Sequence, residues 1–303
     1  MTVPPPRVTI FPLIIAGALA LCVAAAGGAP GAPTRHLSAA AADPSGRRMH
    51  LGDLRADGLT WQQVFADNFA GEDTPLGRSC ADPHGFPYTT PKWRAYPWPW
   101  HGDPNGGSYC PGRTTSIGNG VMDIWLHGAK IGGEWHSLID APMPAIPGHP
   151  FGSGQLYGRY SVEFYEPRSF SNYHVSWLLW PDSNRWPADG EIDFPEVDTS
   201  GKIAAFLHWQ GANGASQQAA YGTSTRLYGG WHQTTIVWLP RRCTFILDGK
   251  VVGSFTTASE IPKTPLHLVL QIGRSNDATS SHAAQGHIYI DWVTVYQPLA
   301  SLG

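Results

Sequence analysis

The chain of 303 residues carries a formal net charge of −3 at pH 7, and only 14% of its residues are charged. So few charges argue against intrinsic disorder, and a net negative charge argues against a surface for nucleic-acid phosphates, which requires a basic patch. We therefore expect no nucleic-acid partner. The sequence is rich in Trp and Gly, with 13 and 35 residues. A Trp is expected in the core unless its position in a motif indicates another role.

The N-terminus is typical of a secretory signal peptide. A short start containing Arg7 precedes an apolar stretch, and small residues follow in the A-x-A pattern of a cleavage site. We expect a signal peptide over residues 1–26, export from the cell and no membrane attachment after cleavage. An uncleaved signal anchor and a lipoprotein attached through Cys22 are the alternatives. The Ala-, Pro- and Gly-rich residues 27–50 bury too little surface to fold and predict a linker, which leaves residues 51–303 as one domain.

Alternation of apolar and polar residues, typical of β-strands, recurs throughout this domain. The clearest example spans residues 156–165. Its predicted inward residues are Leu156, Tyr160, Val162 and Phe164. Further strands are predicted over residues 121–126, 173–180, 191–197, 203–209, 231–239, 243–247, 266–272 and 287–296. The pair Asp248-Gly249 between two apolar runs is typical of a tight hairpin turn. Many short strands separated by turn residues predict an all-β sandwich of two antiparallel sheets, without a second domain.

Residues 78–114 lack this alternation and contain many Pro, Gly and aromatic residues. A loop of this length is usually either functional or disordered, and its aromatic side chains indicate order. Cys80 and Cys110 lie near its two ends, where an exported protein permits a disulfide. The loop is therefore either a packed cover over one sheet or a wall of a binding site. Cys243, in an apolar run, is expected as a buried free thiol. The aromatic residues of the loop include Trp93, Tyr96, Trp98, Trp100 and His101.

The segment from Glu191 to Glu196 concentrates three carboxylates on one predicted strand. On a regular strand Glu191 and Asp193 point to one face, and strict alternation puts Glu196 on the other. A β-bulge at Pro195 returns Glu196 to the first face, because proline cannot donate to the ladder and is found at bulges. The two glutamates can then approach the separation of about 5–5.5 Å that is typical of retaining glycosidases. A solvated strand face and a calcium site are the alternatives.

The run Glu191-Ile-Asp-Phe-Pro-Glu196 is similar to the E-x-D-x-x-E signature of glycoside hydrolase family 16, in its bulged form. Six further segments resemble blocks of that family in the family's order and extend the similarity over most of residues 55–297. They lie at residues 61–69, 157–160, 177–181, 230–232, 247–250 and 290–296. The resemblance, which is to the bacterial laminarinases (endo-1,3-β-glucanases), implies a concanavalin-like β-jelly-roll sandwich with a concave substrate cleft.

The resemblance also implies a role for each carboxylate. Glu191 matches the nucleophile, Glu196 the general acid and base, and Asp193 the residue that orients the nucleophile. Nearby negative charge is expected to raise the proton affinity of Glu196, as an acid at neutral pH requires. The substrate-binding candidates are Trp186, His208, Trp177 and Gln271.

The expected activity is endo-hydrolysis of a polysaccharide, first of all β-1,3-glucan, with retention through a glycosyl-enzyme. Gln271 stands where many glucanases have Asn, and galactan hydrolases share the bulged motif, so a β-galactan hydrolase (agarase- or carrageenase-like) and a transglycosylase are alternatives. A non-catalytic carbohydrate-binding module is a third. We expect a secreted monomer that requires no cofactor. A structural calcium on the convex face is the alternative, for which Asp291 matches a ligand while Asn68 stands where an acid is common.

Overall fold

The computed structural model of the protein describes residues 48–100, 102–149, 154–279 and 281–299. The predicted signal peptide, most of the predicted linker and His101 lie outside these residues. The described chain is almost entirely β-structure, with a single short helix among the described residues. Across the same described ranges, no helix is long and apolar enough to cross a membrane.

The strands vary from two to thirteen residues in length and follow one another through most of the domain. The helix α1 (Pro111–Thr114) lies between the fourth and fifth strands. The strands are β1 (Leu54–Ala56), β2 (Leu59–Asp67), β3 (Trp93–Arg94), β4 (Gly107–Tyr109), β5 (Thr115–Gly118), β6 (Val121–Ile131), β7 (Glu134–Ile139), β8 (Met143–Pro144), β9 (Gly158–Tyr165), β10 (Tyr173–Pro181), β11 (Glu191–Asp198), β12 (Lys202–Gln210), β13 (Ser216–Arg226), β14 (Trp231–Leu239), β15 (Arg242–Leu247), β16 (Lys250–Phe255), β17 (Leu266–Arg274) and β18 (Gly286–Pro298).

Most of these strands form two large sheets. The first has five strands in the order β13-β12-β11-β10-β17, all antiparallel. The second has eleven strands, with β16-β15-β14-β9-β18-β6-β7-β4 as its main path and β1, β2 and β5 attached at its side. Its strands are antiparallel except where β4 pairs with β7. The predicted all-β sandwich of antiparallel sheets is therefore confirmed.

Side chains from both sheets meet in one continuous core. The ring of Phe164 on β9 meets Trp177 on β10 edge to face, with 5.6 Å between the ring centres. Phe194 on β11 meets Phe245 on β15 in the same geometry at 5.4 Å. Such pairs contribute about 0.5–1.5 kcal/mol beyond the area that they bury. Because the core occupies one side of the five-stranded sheet, the opposite side, called here the outer face, is left to carry polar side chains.

The alternation predicted over residues 156–165 is correct from Gly158 onward. Tyr160, Val162 and Phe164 are all buried in the core. The prediction is wrong for Leu156, which is 45% exposed and precedes β9. Tyr157 has a φ of 65°, a left-handed conformation that interrupts an extended chain, so the strand begins only after it.

The predicted hairpin turn is present between β15 and β16. Asp248 and Gly249 have φ angles of 50° and 77°. Two successive positive φ values are typical of a type I′ turn, whose twist matches that of the flanking strands. Glycine adopts such a conformation without a steric penalty, and Asp tolerates it better than most other residues.

The described residues between positions 78 and 114 form a loop that is closed by the predicted disulfide between Cys80 and Cys110. Trp93 of this loop is buried, and its indole N–H donates to Asp67 Oδ2 at 2.8 Å. This end of the loop is thus a packed cover, one of the two predicted alternatives. Cys243 is a buried free thiol, as predicted, and burial raises its pKa. It therefore belongs to the core rather than to any reactive site.

Candidate active site

Strand β11 lies in the middle of the five-stranded sheet and carries the three predicted carboxylates. Ile192 and Phe194 are buried in the core. Glu191 and Asp193 therefore point to the outer face, because successive side chains on a strand alternate. They are only 9% and 2% exposed. Such burial rules out the alternative of a solvated strand face and indicates carboxyl groups enclosed by neighbouring side chains.

The register of β11 shifts between Asp193 and Glu196. Asp193 pairs with Phe206 of β12, and Glu196 pairs with Ala204. Two residues of β11 therefore face a single residue of β12, and the same shift occurs against β10. The predicted bulge at Pro195 is confirmed. It returns the side chain of Glu196 to the outer face, where it meets the other two carboxyls.

Two side chains from the neighbouring strands hold Asp193. Ser176 on β10 donates its hydroxyl to Asp193 Oδ1 at 3.1 Å. On β12, Nε2 of His208 lies 3.2 Å from Asp193 Oδ2 and 3.9 Å from Glu196 Oε2. His208 is also the cross-strand partner of Glu191. A single imidazole is therefore within electrostatic range of all three carboxyl groups.

A second imidazole, that of His174 on β10, faces Glu196 from the other side. Its Nε2 lies 3.5 Å from Glu196 Oε1, and its Nδ1 lies 3.1 Å from Asp198 Oδ1. The ring thus bridges two carboxyl groups of β11. The side chains of His174, Glu196 and Asp198 remain partly exposed to solvent on the outer face.

The carboxyl groups of Glu191 and Asp193 bind protons more tightly than free carboxyls do. Burial, followed by the negative charge of Asp193, raises the pKa of Glu191 well above its ordinary value. Burial and the charge of Glu196 likewise raise the pKa of Asp193. The imidazolium of His208 opposes both shifts, and the indole N–H of Trp186 opposes the first. The ionised form of Glu191 therefore depends on His208 and Trp186.

The expectation that Glu196 has a raised proton affinity is wrong for the free site. Burial acts to raise its pKa, but hydrogen bonds and positive charge from His174 and His208 outweigh burial and lower it to about 2. In return, their carboxylate partners outweigh burial and raise the pKa of His174 to about 9 and that of His208 to about 10. At neutral pH Glu196 is therefore ionised in the free site, and the two imidazoles beside it carry protons.

Three of the four predicted substrate-binding residues lie on the outer face near the carboxyls. Trp186 is 42% exposed, and its ring centre lies 6.3 Å from that of His208. Gln271 on β17 pairs with Ser176 and shares its face. The prediction of Trp177 as a cleft residue is wrong: its side chain is fully buried between the sheets. Alternation on β10 turns it away from the site.

Sequence reasoning missed three residues of the site. Ser176 and His174 lie two residues apart on β10, and their face was predictable by alternation once Trp177 was assigned to the core. Tyr96 comes from the loop over residues 78–114. Burial and then the charge of Glu191 raise its pKa to about 12, so the loop reaches the carboxyls. The sequence offered this loop as a possible wall of a binding site, but it gave no signal that Tyr96 would be the residue near Glu191.

Tyr96 belongs to an aromatic cluster of the same loop. Its ring meets Trp100 edge to face at 4.4 Å and Tyr109 at 5.0 Å. Trp100 is 46% exposed and stacks on Tyr109. The middle of the loop thus forms an aromatic wall beside Glu191. The middle of the loop therefore fits the second predicted role, a wall of the binding site, while the end of the loop that contains Trp93 is a packed cover.

Only one group of at least three His, Cys, Asp or Glu side chains among the described residues is close enough to hold a metal ion. It consists of Glu191, Asp193 and His208, whose ligand atoms lie within 4.8 Å of one another. Within this group the imidazole of His208 already pairs with Asp193 at 3.2 Å. On the other face, Asn68 accepts an N–H from Ala70 at 3.3 Å in a local turn. That the chain requires no cofactor stays a prediction.

Comparison with known proteins agrees with this architecture. The sequence model of Glycosyl hydrolases family 16 matches residues 152–294. Among solved structures, LamAcat from Zobellia galactanivorans is 21% identical, with a TM-score of 0.59 over 78% of this chain and 97% of that chain. The endo-β-1,3-glucanase of Pyrococcus furiosus is 17% identical, with a TM-score of 0.55 over 83% of this chain and 100% of that chain. The laminarinase catalytic domain of Thermotoga petrophila RKU-1 is 16% identical, with a TM-score of 0.58 over 80% of this chain and 100% of that chain.

At these identities the solved structures establish the fold, a β-jelly-roll sandwich of the kind predicted. A search of the curated proteins found no match. The matched family segment contains β9 to β17 in full and most of β18, and with them the complete five-stranded sheet and its carboxyl cluster. The motif resemblance is thereby confirmed for residues 152–294, which match family 16 of the glycosyl hydrolases and carry the carboxyl cluster.

Proposed function

We propose that this enzyme is a retaining endo-β-1,3-glucanase with Glu191 as its nucleophile and Glu196 as its general acid and base. The observation that carries the proposal is the bulge in β11, which gathers Glu191, Asp193 and Glu196 on the outer face. The fold similarity to enzymes named as laminarinases and endo-β-1,3-glucanases supports β-1,3-glucan as the substrate. Paired carboxyls of this kind are the machinery of retaining glycosidases.

In the first step Glu191 attacks the anomeric carbon and forms a glycosyl-enzyme, while Glu196 gives a proton to the departing oxygen. Attack requires an ionised Glu191. Its burial opposes ionisation, and the imidazolium of His208 and the indole N–H of Trp186 favour it. In the second step Glu196 removes a proton from water, which attacks the same carbon and releases the sugar with its original configuration.

Asp193 acts on this chemistry through its position. Ser176 and His208 hold its two oxygens, so its carboxyl is fixed between the glutamates. Its negative charge next to Glu191 disfavours a second anion, and so it favours the step in which Glu191 loses its charge by bonding to the anomeric carbon as the glycosidic bond breaks. Loss of this charge should therefore slow glycosylation more than it weakens substrate binding.

Aromatic side chains near the carboxyls support a sugar-binding cleft. Trp186 and Trp100 are each more than two-fifths exposed, so they retain free surface for a ligand. Aromatic rings pack against the apolar faces of sugars, and Gln271 on the same face can hydrogen-bond a hydroxyl. An endo mode of attack requires that the polymer extend past both sides of the site, and exposed aromatic rings near the carboxyls offer surface for such a chain.

The disulfide Cys80–Cys110 supports export, because disulfides persist in oxidising compartments. We include secretion, a monomeric state and independence of added metal in the proposal. Size-exclusion chromatography and activity after treatment with EDTA test the last two. A stable dimer, or activity lost to EDTA and restored by calcium, would overturn those parts.

The decisive experiment combines a substrate panel with nucleophile rescue. The panel contains laminarin, lichenan, agarose, galactan and xyloglucan, with products separated by size and their anomers followed by NMR. We expect laminarin to give β-anomeric oligosaccharides first. Glu191→Ala should lose activity and recover it with azide on an activated aryl laminaribioside, forming an α-glycosyl azide, while Glu134→Ala, an exposed control, stays active.

Each result has a clear consequence. Preference for agarose or galactan would replace the glucan by the galactan alternative, and long products formed by sugar acceptors would indicate a transglycosylase. Early α-anomers would contradict retention. Failure of azide to rescue Glu191→Ala would contradict the nucleophile assignment.

A further inference from the structure

His174 occupies a position that the chemistry described so far does not use. It joins Asp198 through Nδ1 at 3.1 Å to Glu196 through Nε2 at 3.5 Å. Each ring nitrogen faces a carboxylate oxygen, so the protonated imidazole donates to Asp198 and to Glu196 at once. The arrangement is a continuous Asp198–His174–Glu196 chain on the outer face.

We propose that His174 is a positioning residue that stores, in the resting enzyme, the proton that Glu196 delivers to the departing oxygen. The inference rests on the proposed role of Glu196 as general acid. Glu196 makes contact with the substrate, and His174 acts only through Glu196. Asp198 keeps the proton on the imidazole until it is needed.

The bulge makes this contact available. His174 pairs with Asp198 across the two strands, and Ser176 pairs with Glu196. On an unbulged strand Glu196 would point into the core, and no imidazole of β10 could reach it. The same extra residue that brings Glu196 to the outer face thus places it within reach of His174.

The proton balance of the cycle is simple. The proton on Nε2 of His174 passes to Oε1 of Glu196, which leaves a neutral imidazole and a neutral carboxylic acid. The acid then gives this proton to the oxygen of the breaking glycosidic bond, whose electron pair departs with that oxygen. In the second step the carboxylate takes a proton from the attacking water and returns it to His174. No other reactant is required.

Charged groups face His174 from β11, and others lie on the elements next to it. Glu196 and Asp198 face it from β11, and His208 of β12 approaches the same glutamate at 3.9 Å. On β17, Gly273 is the cross-strand partner of His174. The next residue, Arg274, donates its backbone N–H to Asp103 of the loop over residues 78–114 at 3.3 Å. The carboxylates adjacent to the ring favour the imidazolium.

These contacts set the pH range over which the proton is stored. Burial acts to lower the pKa of His174, but its bonds to Asp198 and Glu196 outweigh burial and raise it to about 9. The Glu196–His174 pair therefore holds one transferable proton below about pH 9 and loses it as pH rises through that value. Activity should therefore persist up to about pH 9 and fall at higher pH.

The test is the pH dependence of kcat/KM on laminarin for the wild type, His174→Gln and Asp198→Asn. Gln keeps an N–H donor beside Glu196 but cannot store a proton. We expect the alkaline limb to move down by about one pH unit or more in His174→Gln, and by less in Asp198→Asn, with KM nearly unchanged. His287→Gln is the control, because its ring pairs with Asp123 at 2.8 Å on the other sheet, and its alkaline limb should not move.

An alkaline limb that stays in place in a folded His174→Gln, as judged by circular dichroism, would overturn the inference, and so would an equal shift in the His287→Gln control. Glu196→Ala, assayed on an aryl laminaribioside with a good leaving group, separates this outcome from failure of the proposed function. If the alkaline limb of the pH profile is lost in Glu196→Ala, Glu196 is supported as the general acid, independently of the result for His174→Gln. A limb retained by Glu196→Ala would refute both.

Discussion

Glu166, just after β9, is a carboxyl group that the fold buries without a partner. Its residue is fully buried, and neither carboxyl oxygen has a hydrogen-bond partner among the described residues. Burial raises its pKa from 4.5 to about 9. The folded protein therefore keeps this group protonated at neutral pH, whereas the unfolded chain ionises it.

The consequence for stability follows from the sign of this shift. Between pH 4.5 and about 9 the folded state binds the proton that the unfolded state has released, so stability falls as pH rises. Each pH unit in this window costs about 1.4 kcal/mol. At pH 7 the penalty reaches about 3 kcal/mol, a large fraction of the free energy of unfolding of a typical domain.

Glu166→Gln removes the penalty while keeping the shape of the side chain. We expect the variant and the wild type to have similar free energies of unfolding at pH 4. At pH 7 the variant should be more stable by up to about 3 kcal/mol. Urea unfolding followed by Trp fluorescence from pH 4 to pH 8 measures the difference.

Glu134→Gln, at an exposed position of β7, is the matched control and should show no pH-dependent difference. A difference between Glu166→Gln and the wild type that stays constant from pH 5 to pH 8 would refute the reasoning. It would mean that Glu166 titrates alike in the folded and unfolded states.

Three further predictions concern the core, the loop and the site. Trp177→Ala should lower the free energy of unfolding by about 3–5 kcal/mol in urea titrations; an effect as small as that of the exposed Trp186→Ala would contradict a core position. Reduction of Cys80–Cys110, which are 30 residues apart, should lower the melting temperature and cost about 3–4 kcal/mol; an unchanged melting temperature would show that the loop does not depend on the bond. Ser176→Ala removes one hydrogen bond to a carboxylate and should reduce kcat about tenfold with little change in KM, whereas a change confined to KM would place Ser176 in substrate binding.

Much of the site was predictable because local chemistry constrains it. Alternation on β11 assigns Glu191 and Asp193 to one face, and Pro195 supplies a physical reason for the bulge that brings Glu196 to the same face. The strands were predictable in the same way, since period-two runs and an Asp-Gly turn depend only on near neighbours. The error at Leu156 arose where a left-handed residue interrupted an otherwise regular pattern.

The electrostatics of the site was not predictable in this way. The sequence places carboxylates next to Glu196 along the chain, and they suggest a raised proton affinity. The fold brings His174 and His208 against it from two other strands, and their positive charge reverses the shift. The aromatic wall is a second example, because Tyr96 is 95 positions before Glu191 along the chain.

By itself, the sequence determined the all-β class, the bulged strand and the three carboxyls that share its face. These depend on residue type and short spacing, which act within a few ångströms along one chain segment. Only the tertiary structure decided which strands lie beside β11, which Trp is core and which faces the site, and where the protons of the cluster reside. Those properties depend on register and burial, because a pKa responds to every charge within reach in space, however distant in the sequence.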